Sequence, residues 1–411
     1  MTSKPVVVDH RALMHRVQEI VNAVVRGDEE TVTVHLAADQ IISRLRDELG
    51  IWGGRLYERD GDDYVLRATF PDAQAVEHEI RIPRTYAPIE LCLMRGSIYM
   101  TADDPRVDRE LEAALGVKEF AAVEVGNEQY LLGFDVEPGS DRNDVLFSLG
   151  AVRHSINQRI HHEHVDEMFR QARQIQLSIL PREPPRLENF DIAGRSDSLE
   201  SVGGDLYDYI PISDKILGLA IADASGHGLP AALQVRDIYV GLRMGLSRDY
   251  KIVRTLQRLN SIIHGSTLTS RFVSMFYGEL ERNGVLIYIN AGHPPPFHLS
   301  ADGKVSYLTE GGAVLGPLPD TTYDRGYVQL RPGDVLVSYT DGITETPEAG
   351  ASYLDQSEFG IERLLNVVRE HQGQPAKEIV EAIFARVDEW SGGATPQDDR
   401  TVIVVAYPPK R

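Results

Sequence analysis

The 411-residue chain has a single cysteine, Cys92, and no run of about 18 apolar residues of the kind that spans a membrane. One cysteine cannot form a disulfide within the chain, and this scarcity is typical of a reducing cytoplasm. The charged N-terminal stretch MTSKPVVVDHRALMHR does not resemble a signal peptide. We therefore expect a cytoplasmic protein with no membrane partner.

Basic residues are also scarce, with 42 Lys and Arg against 62 Asp and Glu and a formal net charge of −20. Proteins that bind nucleic acid usually present a basic patch, so we expect no nucleic-acid partner. Apolar residues make up 42% and charged residues 25% of the chain, which is typical of globular proteins. The length is sufficient for two or three domains.

Changes in sequence pattern divide the chain into four segments. Residues 1–27 contain a tail and a helical pattern. Residues 28–140 contain a helix followed by short strand-like runs with turn signals between them, which predicts a small α+β domain. Residues 141–184 read as one long helix, and residues 185–411 form a larger domain rich in strands. The predicted fold class is therefore α+β.

Apolar residues in the third segment recur at steps of three and four, the pattern of a coiled-coil seam. The pattern predicts one helix of about 40 residues, which Pro181 ends. A helix with one apolar stripe needs a partner, so we predict a parallel homodimer. The alternative is that the stripe packs on the chain's own domains. The stripe consists of Val145, Leu149, Val152, Ile156, Val165, Met168, Ala172, Ile175 and Ile179.

Aspartates stand at or beside the ends of strand-like runs in the last segment. These are Asp205, Asp223, Asp341 and either Asp398 or Asp399. Strand ends of one sheet domain can converge, and ionised carboxylates repel strongly at low dielectric, so such a cluster requires cations. A ligand set made only of oxygen atoms selects hard ions such as Mg²⁺ or Mn²⁺.

Small residues leave space beside two of these carboxylates. Gly203 and Gly204 precede Asp205, and the stretch ASGHG follows Asp223. Glycine permits a close approach of the backbone, and small side chains leave room for water and expose carbonyl groups. Two metal ions at such a site would lower the pKa of a bridging water and hold a phosphate oxygen.

Five motifs in this order, VGGDLYD, IADASGHG, NAGHPPP, YTDGITE and DDRTVIVV, carry a family resemblance. With ARQIQLSILPREPP ahead of them, they resemble the bacterial branch of the PPM (protein phosphatase 2C-like) serine/threonine phosphatases. That branch includes the stage II sporulation phosphatase and stress-response phosphatases that regulate sigma factors. The resemblance covers residues 185–408 and implies an α/β/β/α sandwich with a two-metal site between its sheets.

The resemblance also implies roles for individual residues. Two Mn²⁺ or Mg²⁺ ions would be held by Asp205, Asp223, the carbonyl of Ala224, Asp341 and Asp398, with Asp223 as the bridge. Asp398 is preferred to Asp399 because the family's last aspartate stands three residues before a threonine, here Thr401. A metal-bound water would attack phosphorus, with no catalytic side chain. Residues expected to support the ligands are Gly204, Asp208, Ser225, Asn290, His293, Gly342 and Asp399.

The sequence departs from the eukaryotic members at two points. Their general-acid histidine lies two residues after the bridging aspartate, where this chain has Ser225; His227 lies four residues after Asp223, so the role does not transfer to it. No counterpart of their phosphate-binding arginine is evident. Weak intrinsic activity that needs an activator would follow.

Residues 28–140 resemble a GAF-type sensor in the order of their elements, with a PAS domain as the alternative. We therefore expect a phosphoserine/phosphothreonine protein phosphatase. Its activity would be regulated by the sensor, which responds to an unknown ligand or activator, and by the dimeric helix. The expected substrate is a phosphorylated anti-sigma-factor antagonist of the STAS type or another phosphoprotein. Two alternatives remain: a catalytically silent signalling module, and a phosphatase of small metabolites.

Overall fold

The computed structural model describes residues 10–24, 30–70, 80–101, 103–114, 118–199, 202–226, 228–246, 251–265, 272–350 and 357–409. The chain divides into two compact units, Met1–Glu167 and Met168–Arg411. Within the described ranges, no helix has both the length and the apolar character needed to cross a membrane. His227 lies outside the described residues.

The N-terminal unit is built on a six-stranded antiparallel sheet of strand order β3-β2-β1-β6-β5-β4. Its strands are β1 (Ile51–Asp60), β2 (Asp63–Phe70), β3 (Arg81–Pro83), β4 (Ser97–Thr101), β5 (Glu119–Val125) and β6 (Tyr130–Val136). Its helices are α1 (His10–Val24), α2 (Glu30–Leu49), α3 (Ala87–Arg95), α4 (Arg109–Ala114) and the first part of α5 (Arg142–Ile179).

The two faces of this sheet carry different helices. Apolar residues of α1, α2 and the first half of α5 form one core with one face of the sheet. Residues of α3, among them Ile89 and Cys92, pack on the other face. The predicted order of a helix, strands and a closing helix is present, whereas the assignment to the GAF or PAS class stays a prediction.

The long helix predicted for the third segment is present as α5, with 38 residues. The carboxylate of Asp141 accepts hydrogen bonds from the backbone N–H groups of Asn143 and Asp144, which defines where the helix begins. The first four residues of the predicted seam, from Val145 to Ile156, are fully buried in the core of the N-terminal unit. A dimer seam along the whole helix is therefore wrong for this half, because these side chains already pack against their own unit.

The second half of the seam is different. The side chains of Met168 and Ile175 are 52% and 54% exposed, so this half is available to another helix. Ile179, at the end of the seam, packs against the core of the C-terminal unit. Dimerisation through residues 165–175 stays a prediction.

The C-terminal unit is a sandwich of two sheets, one of strand order β14-β11-β10-β9-β8 with β15 beside β11, the other of order β13-β12-β16-β17-β7. Its strands are β7 (Asp191–Asp197), β8 (Asp205–Ser213), β9 (Ile216–Ala224), β10 (Val273–Glu281), β11 (Val285–Ala291), β12 (Phe297–Leu299), β13 (Val305–Tyr307), β14 (Gly311–Gly312), β15 (Gly326–Gln329), β16 (Val335–Tyr339) and β17 (Arg400–Ala406). Its helices are α6 (Leu229–Leu246), α7 (Ile252–Gly265), α8 (Asp341–Thr344), α9 (Gly360–Glu370) and α10 (Ala376–Trp390).

Strand alternation decides which side chains face the centre of the sandwich. Tyr207 and Ile221 of the first sheet pack there against Ile403 of the second. Their sequence neighbours, such as Ala222, pack instead against α6 and α7, and α9 and α10 cover the outer face of the second sheet. The order of layers is therefore α/β/β/α, as the resemblance implies.

Candidate metal centre

Asp205 and Asp223 lie directly opposite each other at the ends of β8 and β9. Each stands two residues from a side chain of the inter-sheet core, so both carboxylates point between the sheets. Burial, followed by the charge of Asp223, raises the pKa of Asp205 well above its ordinary value. Two carboxylates on facing strand positions repel when both are ionised.

The second sheet holds the carboxylate of Asp205 from the other side. Thr340 Oγ1 and Thr401 Oγ1 both donate hydrogen bonds to Asp205 Oδ2, at 2.8 and 2.6 Å. The backbone N–H of Thr401 donates to Thr340 Oγ1 at 2.9 Å. Because these hydroxyls both use Oδ2, they fix the carboxylate while leaving Oδ1 to other contacts.

Three further aspartates lie close enough to Asp223 to change its pKa. Burial is the largest cause, and the charges of Asp341, Asp398 and Asp399 act in the same direction, raising the pKa of Asp223 to about 7. These three groups are all carboxylates, so their charges repel that of Asp223. Asp205 thus lies opposite Asp223, and the charges of Asp341, Asp398 and Asp399 reach Asp223.

Gly342 explains how Asp341 and Asp398 come close. A Cβ atom on Gly342 would lie 2.0 Å from the backbone oxygen of Asp399, so only glycine fits where α8 passes this segment. The missing side chain lets the start of α8 and the segment ahead of β17 touch. Gly342 therefore acts through backbone packing.

Because Gly204 has no side chain, two backbone carbonyl oxygens can approach it closely. A Cβ atom there would lie 2.8 Å from the carbonyl oxygen of Ala224 and 3.2 Å from that of Gly226. The backbone N–H of Ala224 donates to the carbonyl of Gly204 at 2.9 Å, which holds the two segments together. The carbonyl of Ala224, named as a ligand from the sequence, thus lies beside the residue that precedes Asp205.

Asp398 and Asp399 have different environments. The buried carboxylate of Asp399 accepts hydrogen bonds from the backbone N–H groups of Leu199 and Gly204. Asp398 is exposed, and its Oδ1 accepts the backbone N–H of Asp399 at 2.8 Å. Asp399 therefore holds the loop ahead of Asp205, whereas the carboxylate of Asp398 lies at the exposed side of the same segment.

This difference predicts opposite effects for two neighbouring substitutions. Asp399→Ala leaves the buried N–H of Gly204 and the half-buried N–H of Leu199 without an acceptor and is expected to lower the free energy of unfolding by about 3 kcal/mol. Asp398→Ala should cost about 1 kcal/mol or less, but weaken Mn²⁺ binding at least about tenfold. Urea unfolding and calorimetric metal titration of both variants test this. Equal effects of the two substitutions on stability and on metal binding would contradict the assignment.

Gln176, near the end of α5, is a residue that the sequence reasoning missed. Its side-chain amide donates to the carbonyl of Gly203 at 2.7 Å and accepts the backbone N–H of Gly203 at 2.9 Å. The side chain is buried, and both contacts lie within the C-terminal unit. The motif ARQIQLSILP contains this glutamine, but the motif gives no indication of which backbone group it contacts.

Two other residues named from the sequence, Asp208 and Ser225, make contacts that stabilise the fold. Asp208 points to the opposite side of β8 from Asp205, because it is three positions further along the strand. Its carboxylate pairs with Arg243 of α6 at 2.9 and 3.0 Å, so its placement beside the metal ligands is corrected. Ser225 exchanges hydrogen bonds with the backbone of Phe272, its Oγ accepting the N–H at 3.0 Å.

Asn290 and His293 form a compact turn after β11. Asn290 Oδ1 accepts the backbone N–H of His293 at 2.8 Å, and its Nδ2 donates to the carbonyls of His293 and Leu308. His293 Nδ1 hydrogen bonds to Ser274 Oγ at 2.8 Å. Ser274 lies opposite Asp223 on the neighbouring strand, so this turn supports the strand beside the aspartates.

His293 predicts a pH dependence of stability. Burial lowers its pKa from 6.5 to about 3, so the folded state keeps it neutral while the unfolded state takes up a proton below pH 6.5. The stability due to neutral His293 is therefore complete above pH 6.5 and decreases as the pH falls. Between pH 7 and pH 5, wild type should lose about 2 kcal/mol more than His293→Gln. Urea unfolding at both values tests this, and identical losses would contradict it.

The donor chemistry fits a hard divalent cation. Carboxylate oxygens and the cradle of backbone oxygens around Gly204 are the ligands that Mg²⁺ and Mn²⁺ prefer. Throughout the part of the chain that the structure describes, however, no three Asp, Glu, His or Cys side chains are close enough to form a metal site by themselves. Asp205 is turned towards the two threonines. Water and backbone oxygens would therefore have to complete the ligand set.

Comparison with known proteins finds similarity within the C-terminal unit. Residues 213–408 match the family model described as stage II sporulation protein E. Protein IcfG of Synechocystis sp. is 27% identical over an alignment of 264 residues that covers 57% of this chain and 40% of that protein. The phosphoserine phosphatase RsbU of Bacillus subtilis is 29% identical over 215 residues, or 52% of this chain and 62% of that protein. The chain thus spans about half the length of these relatives.

Among solved structures, the SiaA-PP2C domain of Pseudomonas aeruginosa is similar, with a TM-score of 0.52 and 22% sequence identity. The similarity covers 60% of this chain and 98% of that domain. At this level of identity, the comparison shows the fold. The C-terminal unit is therefore a domain of PP2C phosphatase fold, similar in sequence to stage II sporulation protein E.

Proposed function

We propose that the C-terminal unit is a Mn²⁺- or Mg²⁺-dependent phosphoserine/phosphothreonine protein phosphatase with two metal ions. The observation that carries the proposal is the repulsion among carboxylates: among the described residues, Asp205 lies opposite Asp223, and the charges of Asp341 and Asp398 raise the pKa of Asp223 with no cation beside them. Bound divalent ions supply a water of lowered pKa and hold the phosphoryl oxygens. The name of the relative RsbU, a phosphoserine phosphatase, supports the same chemistry.

The chain's own residues position this site. Thr340 and Thr401 hold one oxygen of Asp205 so that the carboxylate keeps its orientation. Asp399 holds the loop that leads into β8. With Ser225 in place of the eukaryotic histidine, the described side chains offer no evident acid for the leaving group. Weak intrinsic activity that needs an activator is therefore part of the proposal.

The substrate and the partners follow from the resemblance. We propose a phosphorylated anti-sigma-factor antagonist of the STAS type as the substrate, acted on in the cytoplasm. The N-terminal unit would be the GAF-like sensor, and dimerisation would use the exposed part of α5, where Met168 and Ile175 lie. The two hydrogen bonds between Gln176 and the backbone of Gly203 would then join α5 to the loop before Asp205.

A substrate panel with the intact chain tests this proposal. Phosphate release in Mn²⁺ should be faster from a phosphoserine-containing STAS-type protein than from a phosphotyrosine peptide or a phosphorylated sugar. Faster phosphate release from the phosphorylated sugar than from the phosphoprotein would favour a phosphatase of small metabolites. No release from any substrate, with Mn²⁺ shown to bind, would favour the catalytically silent module.

A further inference from the structure

A cavity in the N-terminal unit lies between α3 and the face of the sheet that α1, α2 and α5 leave uncovered. It contains about 560 Å³ of empty space, counting its opening to solvent. Tyr57 and Phe120 from the sheet, Tyr86 before α3 and the apolar side chains of Ile89 and Ile98 line it. The mostly apolar and aromatic lining, with a few polar groups, is that of a small-molecule site.

One carboxylate enters this apolar lining. Glu112 of α4 lines the cavity and is only 7% exposed. Burial is the main cause that raises the pKa of Glu112, so the fold disfavours its charged form. A buried carboxylate at the wall of an apolar cavity costs stability unless a partner compensates it.

Among the described residues, the positive charge that acts on Glu112 is that of Arg55, which is shared with Asp135. Tyr86 Oη accepts the backbone N–H of Asp108 at 3.0 Å, which leaves its own hydrogen for Glu112 Oε1 at 3.2 Å. That hydrogen bond comes from a neutral phenol. Arg55 also lines the cavity, but it makes a bidentate pair with Asp135 at 2.9 and 3.0 Å. Asp135 and Asp108 both raise the pKa of Glu112, opposing the effect of Arg55.

We propose that this cavity binds a small organic cation with an aromatic or apolar body, its ammonium or amidinium group paired with Glu112. Two independent features carry the proposal. The carboxylate of Glu112 receives one hydrogen bond, from the neutral phenol of Tyr86, and can pair with a cation inside the cavity. The rings of Tyr57, Tyr86 and Phe120 line the same cavity, and aromatic rings attract cations. The site lies wholly within the N-terminal unit and does not depend on the proposed phosphatase activity.

Three matched probes test the charge preference with the full chain. These are phenethylamine as the cation, 2-phenylethanol as its neutral counterpart and 3-phenylpropionate as the anion, each titrated at pH 7.5 by ligand-observed NMR or calorimetry. A hydrogen-bonded charge pair predicts that phenethylamine binds about tenfold or more tightly than 2-phenylethanol. The anion should bind more weakly than either.

Two variants on α4 locate the effect. Glu112→Gln should remove the preference for the cation, whereas Glu110→Gln, at an exposed position of the same helix, should retain it. Ala122→Leu, which fills the cavity from β5, should weaken the binding of all three probes and provides a second test if Glu112→Gln does not fold. Equal binding of the probes to wild type, no binding of any of them, or an unchanged preference in Glu112→Gln would overturn the proposal.

Discussion

Replacing Asp223 by asparagine is expected to lower Mn²⁺-dependent phosphate release by at least about 100-fold, since even residues that only orient metal ligands typically cost 10–100-fold. Asp223 stands at the end of β9, opposite Asp205, and receives the charges of three other carboxylates. An amide in its place would not provide the negative charge with which Asp223 would hold divalent cations at the proposed site. Phosphate release from an aryl phosphate, with Mn²⁺ titrated, measures the loss.

The same hairpin offers a matched control. Asp214 lies in the turn between β8 and β9, at the exposed end away from the site, so Asp214→Asn should keep wild-type activity. Activity retained in Asp223→Asn, or lost equally in Asp214→Asn, would contradict the role given to Asp223.

Asp223→Asn is also expected not to destabilise the metal-free protein. Burial and the nearby carboxylates raise the pKa of Asp223 from 3.8 to about 7, so its ionisation opposes folding. This penalty is absent below pH 3.8, grows as the pH rises and is complete above pH 7. Thermal unfolding in EDTA at pH 8 should therefore show a Tm equal to or above that of wild type, with the difference smaller at pH 5. A lower Tm at pH 8 would mean that the lost activity reflects damage to the fold.

Gln176→Ala is expected to have the second large effect. It leaves both the N–H and the carbonyl of Gly203 without their side-chain partner, which is worth about 2 kcal/mol of unfolding free energy. The loop then moves together with Gly204, whose N–H is bound to Asp399, and Asp205 follows it directly. We expect phosphate release to fall about tenfold or more, because small displacements of catalytic groups are costly.

Gln174→Ala is the matched control, since Gln174 is exposed two residues earlier on the same helix. It should change neither the stability of the protein nor its phosphate release. Raising Mn²⁺ should restore part of the activity of Gln176→Ala if the displaced loop weakens metal binding. A wild-type rate of phosphate release by Gln176→Ala at low Mn²⁺ would show that the contact between α5 and the Gly203 loop does not affect the activity of the site.

The sandwich was predictable because its sequence signals are local. Asn283-Gly284 marks the β10–β11 hairpin, and Gly284 adopts the positive φ of 93° that such a turn requires. Asp205 and Asp223 stand at the ends of strands with clear apolar patterns, so their meeting at one sheet edge could be expected. The motif order then placed Asp341 and Asp398 beside them.

Long-range contacts account for what the sequence did not predict. Asp208 is close to Asp205 in sequence, yet strand alternation turns it towards Arg243. The partners of Gln176 and Asp399 are backbone groups, which leave no trace in residue types. The apolar seam of α5 could not be divided from the sequence alone, because the same spacing suits a helix partner and a domain core. Only tertiary packing shows that Val145 is buried within its own unit.

The most direct test of the central claim is phosphate release from a phosphoserine-containing protein by the intact chain, while Mn²⁺ is titrated into EDTA-treated enzyme. Our account predicts no release without metal and a saturable increase with Mn²⁺ that Asp223→Asn lacks. Release that is independent of metal, or no release at saturating Mn²⁺ and Mg²⁺ from any phosphoprotein or aryl phosphate, would contradict it.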